Sequence, residues 1–107
     1  MNIGAIPEEY QADGYFINTG DAMNNSGILD GDAVFVELGA DFDDGDIVVV
    51  EIDGEPLLRH IWRHDDGSIV LAAANHRFPA LAFQGQEKVK YIGRAVCLNR
   101  MLNKRAG

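Results

Sequence analysis

Cysteine, proline and positive charge are scarce in this sequence of 107 residues. A single cysteine, Cys97, excludes an internal disulfide and is typical of a reducing compartment. The 3 prolines form no proline-rich linker between domains. Lysine and arginine number 9 against 17 aspartates and glutamates, which gives a net charge of −8. Because binding to nucleic acid requires clustered cations, we predict that this chain does not contact DNA by itself.

The sequence also lacks a long apolar run. No stretch approaches the roughly 18 consecutive apolar residues that a membrane-spanning helix requires. The first ten residues contain Glu8 and Glu9 and no cationic segment, so they do not resemble a signal peptide. We therefore expect a cytoplasmic protein without membrane contact. Its 47% apolar content suffices for one hydrophobic core.

Short apolar runs separated by glycine and aspartate predict a mainly β domain with little helix. The run 47–52 is rich in β-branched residues, which is typical of a strand covered on both faces. Asp53-Gly54 predicts a two-residue hairpin. Only 21–26 and 98–104 have room for a helical turn or two. The predicted strands are residues 15–18, 33–38, 47–52, 55–63, 68–73 and 88–98.

The predicted strand 55–63 places a cation between apolar neighbours. Because side chains alternate along a strand, Arg59 shares a face with Leu57 and Ile61. One interpretation is that the stem of Arg59 lies on the sheet while its guanidinium reaches water. The other is that Arg59 points into a functional groove. The spacing alone favours the first interpretation and leaves the second open.

Two patterns suggest a metal site, and neither meets the requirements for one. The acidic run 41–46 has glycine at its fifth position, whereas an EF-hand loop needs glycine at the sixth and glutamate at the twelfth. His60 and His64 would lie about 13 Å apart on a strand, which is too far for one metal ion. We therefore predict neither a metal nor another cofactor.

Six segments of the sequence form an ordered set of motifs: GDAM at 20–23, GILDGD at 27–32, GDIVVVEIDGE at 45–55, LLRH at 57–60, LAAAN at 71–75 and YIGRAV at 91–96. Together they resemble the LexA-like family of self-cleaving repressors and serine peptidases. The resemblance covers residues 13–101 and implies a compact β domain of the LexA and signal-peptidase type. It makes 1–12 an N-terminal extension and 102–107 a C-terminal tail, with no helix-turn-helix domain ahead of residue 13.

Family members use a serine nucleophile and a lysine base, and the resemblance assigns these positions to Ala22 and Arg59. A methyl group cannot attack a carbonyl, and a guanidinium stays protonated and cannot act as a base. We therefore expect no functional catalytic residue, only a vestigial groove lined by Asp21, Ala22, Met23 and Arg59. Ser26 is an alternative nucleophile, but a serine in a turn commonly bonds the backbone.

The resemblance implies three candidate functions. The first is an inactive domain that dimerises and regulates a transcriptional repressor. It would contact DNA only through a fused helix-turn-helix domain and could hold a peptide in its groove. The others are an inactivated form of a self-cleaving serine protease repressor of the SOS type and a UmuD-like accessory of a translesion polymerase.

The region ahead of Ala22 favours the first of these functions. Residues 1–21 contain no Ala-Gly or Cys-Gly dipeptide, and the resemblance implies that self-cleaving members cut such a bond. We expect a homodimer whose interface includes the strand 88–101, with Ile92, Val96 and Leu98.

Overall fold

Seven β-strands and one 3-10 turn form the described part of the chain, which is residues 12–84 and 88–100 of a computed structural model. The mainly β prediction is confirmed. Within these residues no helix has the length and apolar character needed to cross a membrane. The elements are β1 (Gly14–Ile17), the 3-10 turn (Asn24–Ser26), β2 (Ala33–Leu38), β3 (Ile47–Ile52), β4 (Glu55–Arg63), β5 (Ile69–Ala72), β6 (Leu81–Phe83) and β7 (Val89–Asn99).

The strands form a single antiparallel sheet in the order β1-β2-β7-β3-β4-β5-β6. Strand β7 comes last in the sequence but lies between β2 and β3, and it pairs with both. The ladders of β7 shift register between Phe35 and Val36 and between Val49 and Val50. Irregularities of this kind bend a strand and increase its twist, so they shape the sheet around its interior.

Two apolar clusters cover the two faces of β3. Val49 belongs to one cluster and its neighbours Val48 and Val50 to the other, because successive side chains of a strand point to opposite faces. All three valines are at most 3% exposed, so the predicted double coverage of this strand is confirmed. The first cluster contains Met23, Ile28, Val34, Val36, Val49 and Leu58. The second contains Val48, Val50, Ile61, Ile69, Leu71 and Val89.

The predicted hairpin at Asp53-Gly54 joins β3 to β4. The backbone φ is 52° at Asp53 and 82° at Gly54, and positive φ at both positions of a two-residue loop matches the twist of the flanking strands. Aspartate tolerates this left-handed conformation better than most residues. The hairpin sets the register that pairs Arg59 with Val48.

The differences from the predicted elements lie at the periphery of the sheet. The limits of β2, β3 and β4 are as predicted, and those of β1, β5 and β7 differ from the prediction by one residue at each end. Strand β6 was not predicted, and the helical turn expected over 21–26 is a 3-10 turn of three residues. Of the possible turn at 98–104, residues 98 and 99 belong to β7. Residues 1–11 and 101–107, which hold most of the predicted extension and tail, lie outside the described residues.

Candidate functional site

A groove of about 560 Å³ lies between the segment that follows β1 and the first half of β4. Asp21 and Ala22 line it from one side and Arg59 from the other, with Phe78 from the β5–β6 connection nearby. Two positions far apart in sequence, Ala22 and Arg59, therefore border the same space. Met23, also expected in the groove, is fully buried in the first apolar cluster.

The turn containing Ala22 is held by backbone hydrogen bonds and by the buried side chain of Met23. Met23 accepts backbone hydrogen bonds from Ser26 at 3.1 Å and from Ile28 at 3.2 Å. The side chain of Asn75 donates to the carbonyl of Asp21 at 2.9 Å. With Met23 inserted in the core, Ala22 is fixed at the groove and is only 8% exposed.

Arg59 lies partly buried in the groove, with its guanidinium carbon 6.0 Å from the centroid of the Phe78 ring. Its Nη1 donates to the Leu58 carbonyl at 2.7 Å. Burial lowers the pKa of Arg59 from its ordinary value, yet a guanidinium remains protonated at any physiological pH. Of the two interpretations of Arg59, this position corresponds to a residue that lines a groove.

The first half of β4 has an unpaired edge among the described residues. Strand β3 pairs with β4 from Glu55 to His60, but β5 pairs with β4 only from His60 to Arg63. Five consecutive residues, Glu55–Arg59, line the groove. Neighbouring side chains of a strand point to opposite faces of the sheet. Five consecutive residues can therefore line the same groove only if that groove runs along the edge of the strand. Pro56 lacks an N–H donor and suits an edge of this kind.

Comparison with known proteins identifies the chain's relatives. Residues 5–96 match the model of the Peptidase S24-like family. The chain belongs to that family. It is 36% identical over 101 residues to the LexA repressor of Thermotoga petrophila, an alignment that covers 91% of this chain and 50% of that protein. The chain thus spans about half the length of this relative. The resemblance to the LexA-like family is confirmed, and with it a serine-peptidase ancestry.

A serine–histidine pair lies just outside the groove of this S24-like domain. The Ser26 Oγ is 2.8 Å from His60 Nε2, and His60 Nδ1 is 2.8 Å from the Gly45 carbonyl oxygen. The sequence suggested that Ser26 is either a nucleophile or a partner of the backbone. Its actual partner is the His60 side chain, 34 positions away, and no local pattern signals that contact.

The backbone N–H groups next to Ser26 already have acceptors. Those of Ser26 and Ile28 both donate to Met23, and that of Gly27 donates to Asn24. These three groups are therefore not available to stabilise an oxyanion. The Ser26–His60 contact links the turn that contains Ala22 to the strand that contains Arg59.

A buried carboxylate holds the other end of the same turn in the S24-like domain. Asp32 is 1% exposed and accepts from the Leu29 N–H at 2.8 Å. Arg100 donates to both of its oxygens, from Nε at 2.9 Å and from Nη2 at 2.8 Å. The side-chain hydrogen bond to Asp32 raises the pKa of Arg100. Arg100 also donates to the Gly27 carbonyl at 2.6 Å, so it joins the end of β7 to the turn.

An apolar stripe crosses the outer face of three adjacent strands. Tyr15 of β1 pairs with Phe35 of β2, and Phe35 pairs with Cys97 of β7. Directly opposed residues place their side chains on the same face of a sheet. Ile17, two residues along β1, shares this face, and Tyr15 and Ile17 are 69% and 46% exposed. We call Tyr15, Ile17, Phe35 and Cys97 the outer stripe.

Proposed function

We propose that this S24-like chain is a catalytically inactive domain that serves the dimerisation and regulation of a transcriptional repressor. The supporting observation is the groove bordered by Ala22 and Arg59, the positions that the family resemblance assigns to nucleophile and base. Neither side chain performs the corresponding step, because one has no nucleophilic atom and the other keeps its proton.

Intact-mass measurement tests the proposed inactivity. The chain, with whatever sequence precedes it in its natural protein, is incubated from pH 7 to pH 10, where a lysine base would become neutral. We expect a single uncleaved species throughout. Cleavage of the unaltered chain at any pH would overturn the proposal.

A second candidate is an inactivated self-cleaving protease, favoured by the retained groove and the open edge of β4. The double variant Ala22→Ser with Arg59→Lys discriminates between the two. Self-cleavage that increases with pH would favour this second candidate, because deprotonation of the lysine would activate the serine. The single variant Ala22→Ser is the matched control, since it restores the hydroxyl without a base.

For dimerisation, the partner we propose for the outer stripe is a second copy of this chain. The stripe combines exposed aromatic and aliphatic side chains on an edge strand and its neighbours, which is typical of interaction surfaces. Strand β7 is paired on both sides, so it would contribute through one face. Cys97, opposite Phe35, lies on that face, whereas Leu98 lies opposite the buried Val34.

Sedimentation of the purified chain tests this interface. We expect a dimer that the variant Tyr15→Ser weakens. Leu38→Ser is the matched control, because Leu38 is also exposed, at 53%, but is not part of the stripe. A monomer at tens of micromolar, or equal weakening by both variants, would contradict the proposed surface. With a net charge of −8, the domain would leave DNA binding to a fused helix-turn-helix domain.

The groove itself is proposed to hold an extended peptide without cutting it. The support is the unpaired edge along Glu55–Arg59, because an added strand would satisfy the exposed N–H and C=O groups of that edge. Such binding would couple a segment of the repressor, or of a partner, to the dimer.

A further inference from the structure

Among the arginines of the described residues, Arg59 and Arg63 have no carboxylate partner within 4.0 Å, and of these two only Arg59 lines the groove. Three arginines have a carboxylate partner, and Arg63 lies over the Phe42 ring with its guanidinium carbon 4.4 Å from the centroid. Within residues 12–84 and 88–100, Arg59 has no carboxylate within 4.0 Å, although the whole chain contains 17 acidic residues. The three pairs are Arg77–Asp21 at 3.4 Å, Arg94–Glu37 at 3.1 Å and Arg100–Asp32 at 2.8 Å.

The guanidinium of Arg59 keeps unused hydrogen-bonding capacity in the groove. It has five N–H donors, and one bond, from Nη1 to the Leu58 carbonyl, is formed. Partial burial lowers the pKa of Arg59, and no acidic neighbour in the described part of the chain opposes this shift. The guanidinium has therefore lost part of its hydration without gaining a carboxylate partner. A planar fork of donors matches a carboxylate, which accepts two parallel hydrogen bonds.

The carboxylates already in the groove do not meet this requirement. Asp21 is paired with Arg77, and Glu55 is exposed at the far end of the unpaired edge. The edge and the cation are adjacent, because Arg59 is the last residue of the unpaired stretch before β5 begins to pair at His60. A peptide strand on this edge would therefore bring one of its side chains beside Arg59.

We propose that the groove selects an extended peptide with an acidic side chain, whose carboxylate binds the Arg59 guanidinium. This inference rests on the proposed peptide-holding function and specifies its ligand. The preference of the groove for an acidic side chain arises only from the short-range contact with Arg59, because the net charge of −8 repels an acidic peptide at long range. At physiological salt, charges more than about 8 Å apart are largely screened, so the close pair persists while the repulsion weakens.

A matched pair of peptides tests the inference. The probes are acetyl-Ala-Val-Glu-Val-Ala-amide and the same peptide with glutamine in place of glutamate, titrated into ¹⁵N-labelled protein at pH 7. Binding is measured from the backbone amides of Leu57 and Leu58 and from the Nε–H signal of Arg59. We expect the glutamate peptide to bind about tenfold more tightly or better, as is typical of charge-assisted hydrogen bonds.

Two variants separate the role of Arg59 from a general effect of charge. Arg59→Gln is expected to abolish the preference for glutamate while leaving the weaker binding of both peptides. Arg63→Gln is the matched control, because Arg63 lies on the same strand but outside the groove and should keep the full preference. Dispersed amide spectra establish that both variants are folded.

The outcomes separate two hypotheses: that the groove prefers an acidic peptide, and that the groove holds a peptide at all. Equal binding of the two peptides to the unaltered chain, or a glutamate preference that survives Arg59→Gln, would overturn the inference and leave the peptide groove intact. Binding of neither peptide, with no change at Leu57 and Leu58, would overturn both the inference and the proposed peptide-holding function.

Discussion

The Ser26 hydroxyl and the His60 imidazole lie 2.8 Å apart and join the turn beside the groove to strand β4. A carbonyl oxygen only accepts hydrogen bonds, so the contact with Gly45 requires a proton on His60 Nδ1. Nε2 of the ring then accepts from the Ser26 hydroxyl. The link positions the turn that contains Ala22 relative to the strand that contains Arg59.

Removal of the Ser26 hydroxyl should loosen this link at modest cost. For Ser26→Ala we expect a loss of about 1 kcal/mol in the free energy of unfolding, the usual net value of one hydrogen bond. Urea denaturation measures the loss, and the amide signals of Ala22 and Arg59 should shift. Asn25→Ala is the control at a neighbouring exposed position. Equal midpoints for the two variants would exclude a stabilising role for the link.

Loss of Arg100 should destabilise the fold more than loss of Arg77. Arg100→Ala removes the cation that donates to both oxygens of Asp32, whose side chain is only 1% exposed, and loss of one partner of a buried ion pair is costly. Arg77→Ala removes an equivalent partner from Asp21, whose side chain is 42% exposed and stays hydrated. The urea midpoint should fall clearly for Arg100→Ala and little for Arg77→Ala. The reverse order would show that Asp32 does not depend on this pair.

Gly93 provides a sharp test of the packing between β7 and β2. A Cβ at this position would lie 2.6 Å from the Glu37 carbonyl oxygen and 2.7 Å from Val36 Cγ1. For Gly93→Ala we expect a loss of about 3 kcal/mol or more, the upper part of the range for overpacking, because backbone must move. Gly14→Ala in β1 is the control, since its Cβ would meet nothing within 4 Å. Thermal unfolding should separate the two variants, and similar transition temperatures would contradict the close approach.

The sequence predicted those parts of the fold that depend on local patterns. Strands β2, β3 and β4 were predicted to the residue because alternating or β-branched runs end at glycine and aspartate turns. Strand β6 was missed because three residues, Leu81–Phe83, are too few to establish a period. Its position depends on pairing with β5, which is a tertiary contact.

The candidate site was predicted less completely, for the same physical reason. The family resemblance identified Ala22 and Arg59 as positions of interest. The unpaired edge of β4 depends on β5 starting its ladder at Ala72 opposite His60, and no local pattern encodes that register. The partners of Ser26 and Arg100 are likewise distant in sequence, at separations of 34 and 68 residues.

The rate at which Cys97 is alkylated reports on the environment of its thiol in the outer stripe. Burial raises the pKa of the Cys97 thiol above its usual value, so at a given pH less of it is the reactive thiolate than in a free thiol. The rate of reaction with iodoacetamide should be below that of glutathione at pH 8. It should keep rising with pH after the glutathione rate has levelled off. A rate at pH 8 equal to that of glutathione would contradict the raised pKa.

The same reaction reports on self-association, because a second copy on the outer stripe would cover Cys97. At fixed pH, the alkylation rate should fall as the protein concentration is raised through the dissociation constant of the dimer. Tyr15→Ser should remove this dependence by weakening the interface, whereas Leu38→Ser, outside the stripe, should preserve it. Variation of pH reports the formation of the thiolate, whereas variation of protein concentration reports the covering of Cys97 by a second copy of the chain, so the two effects are measured separately. A rate independent of concentration in a protein that sediments as a dimer would place the interface on another face of the domain.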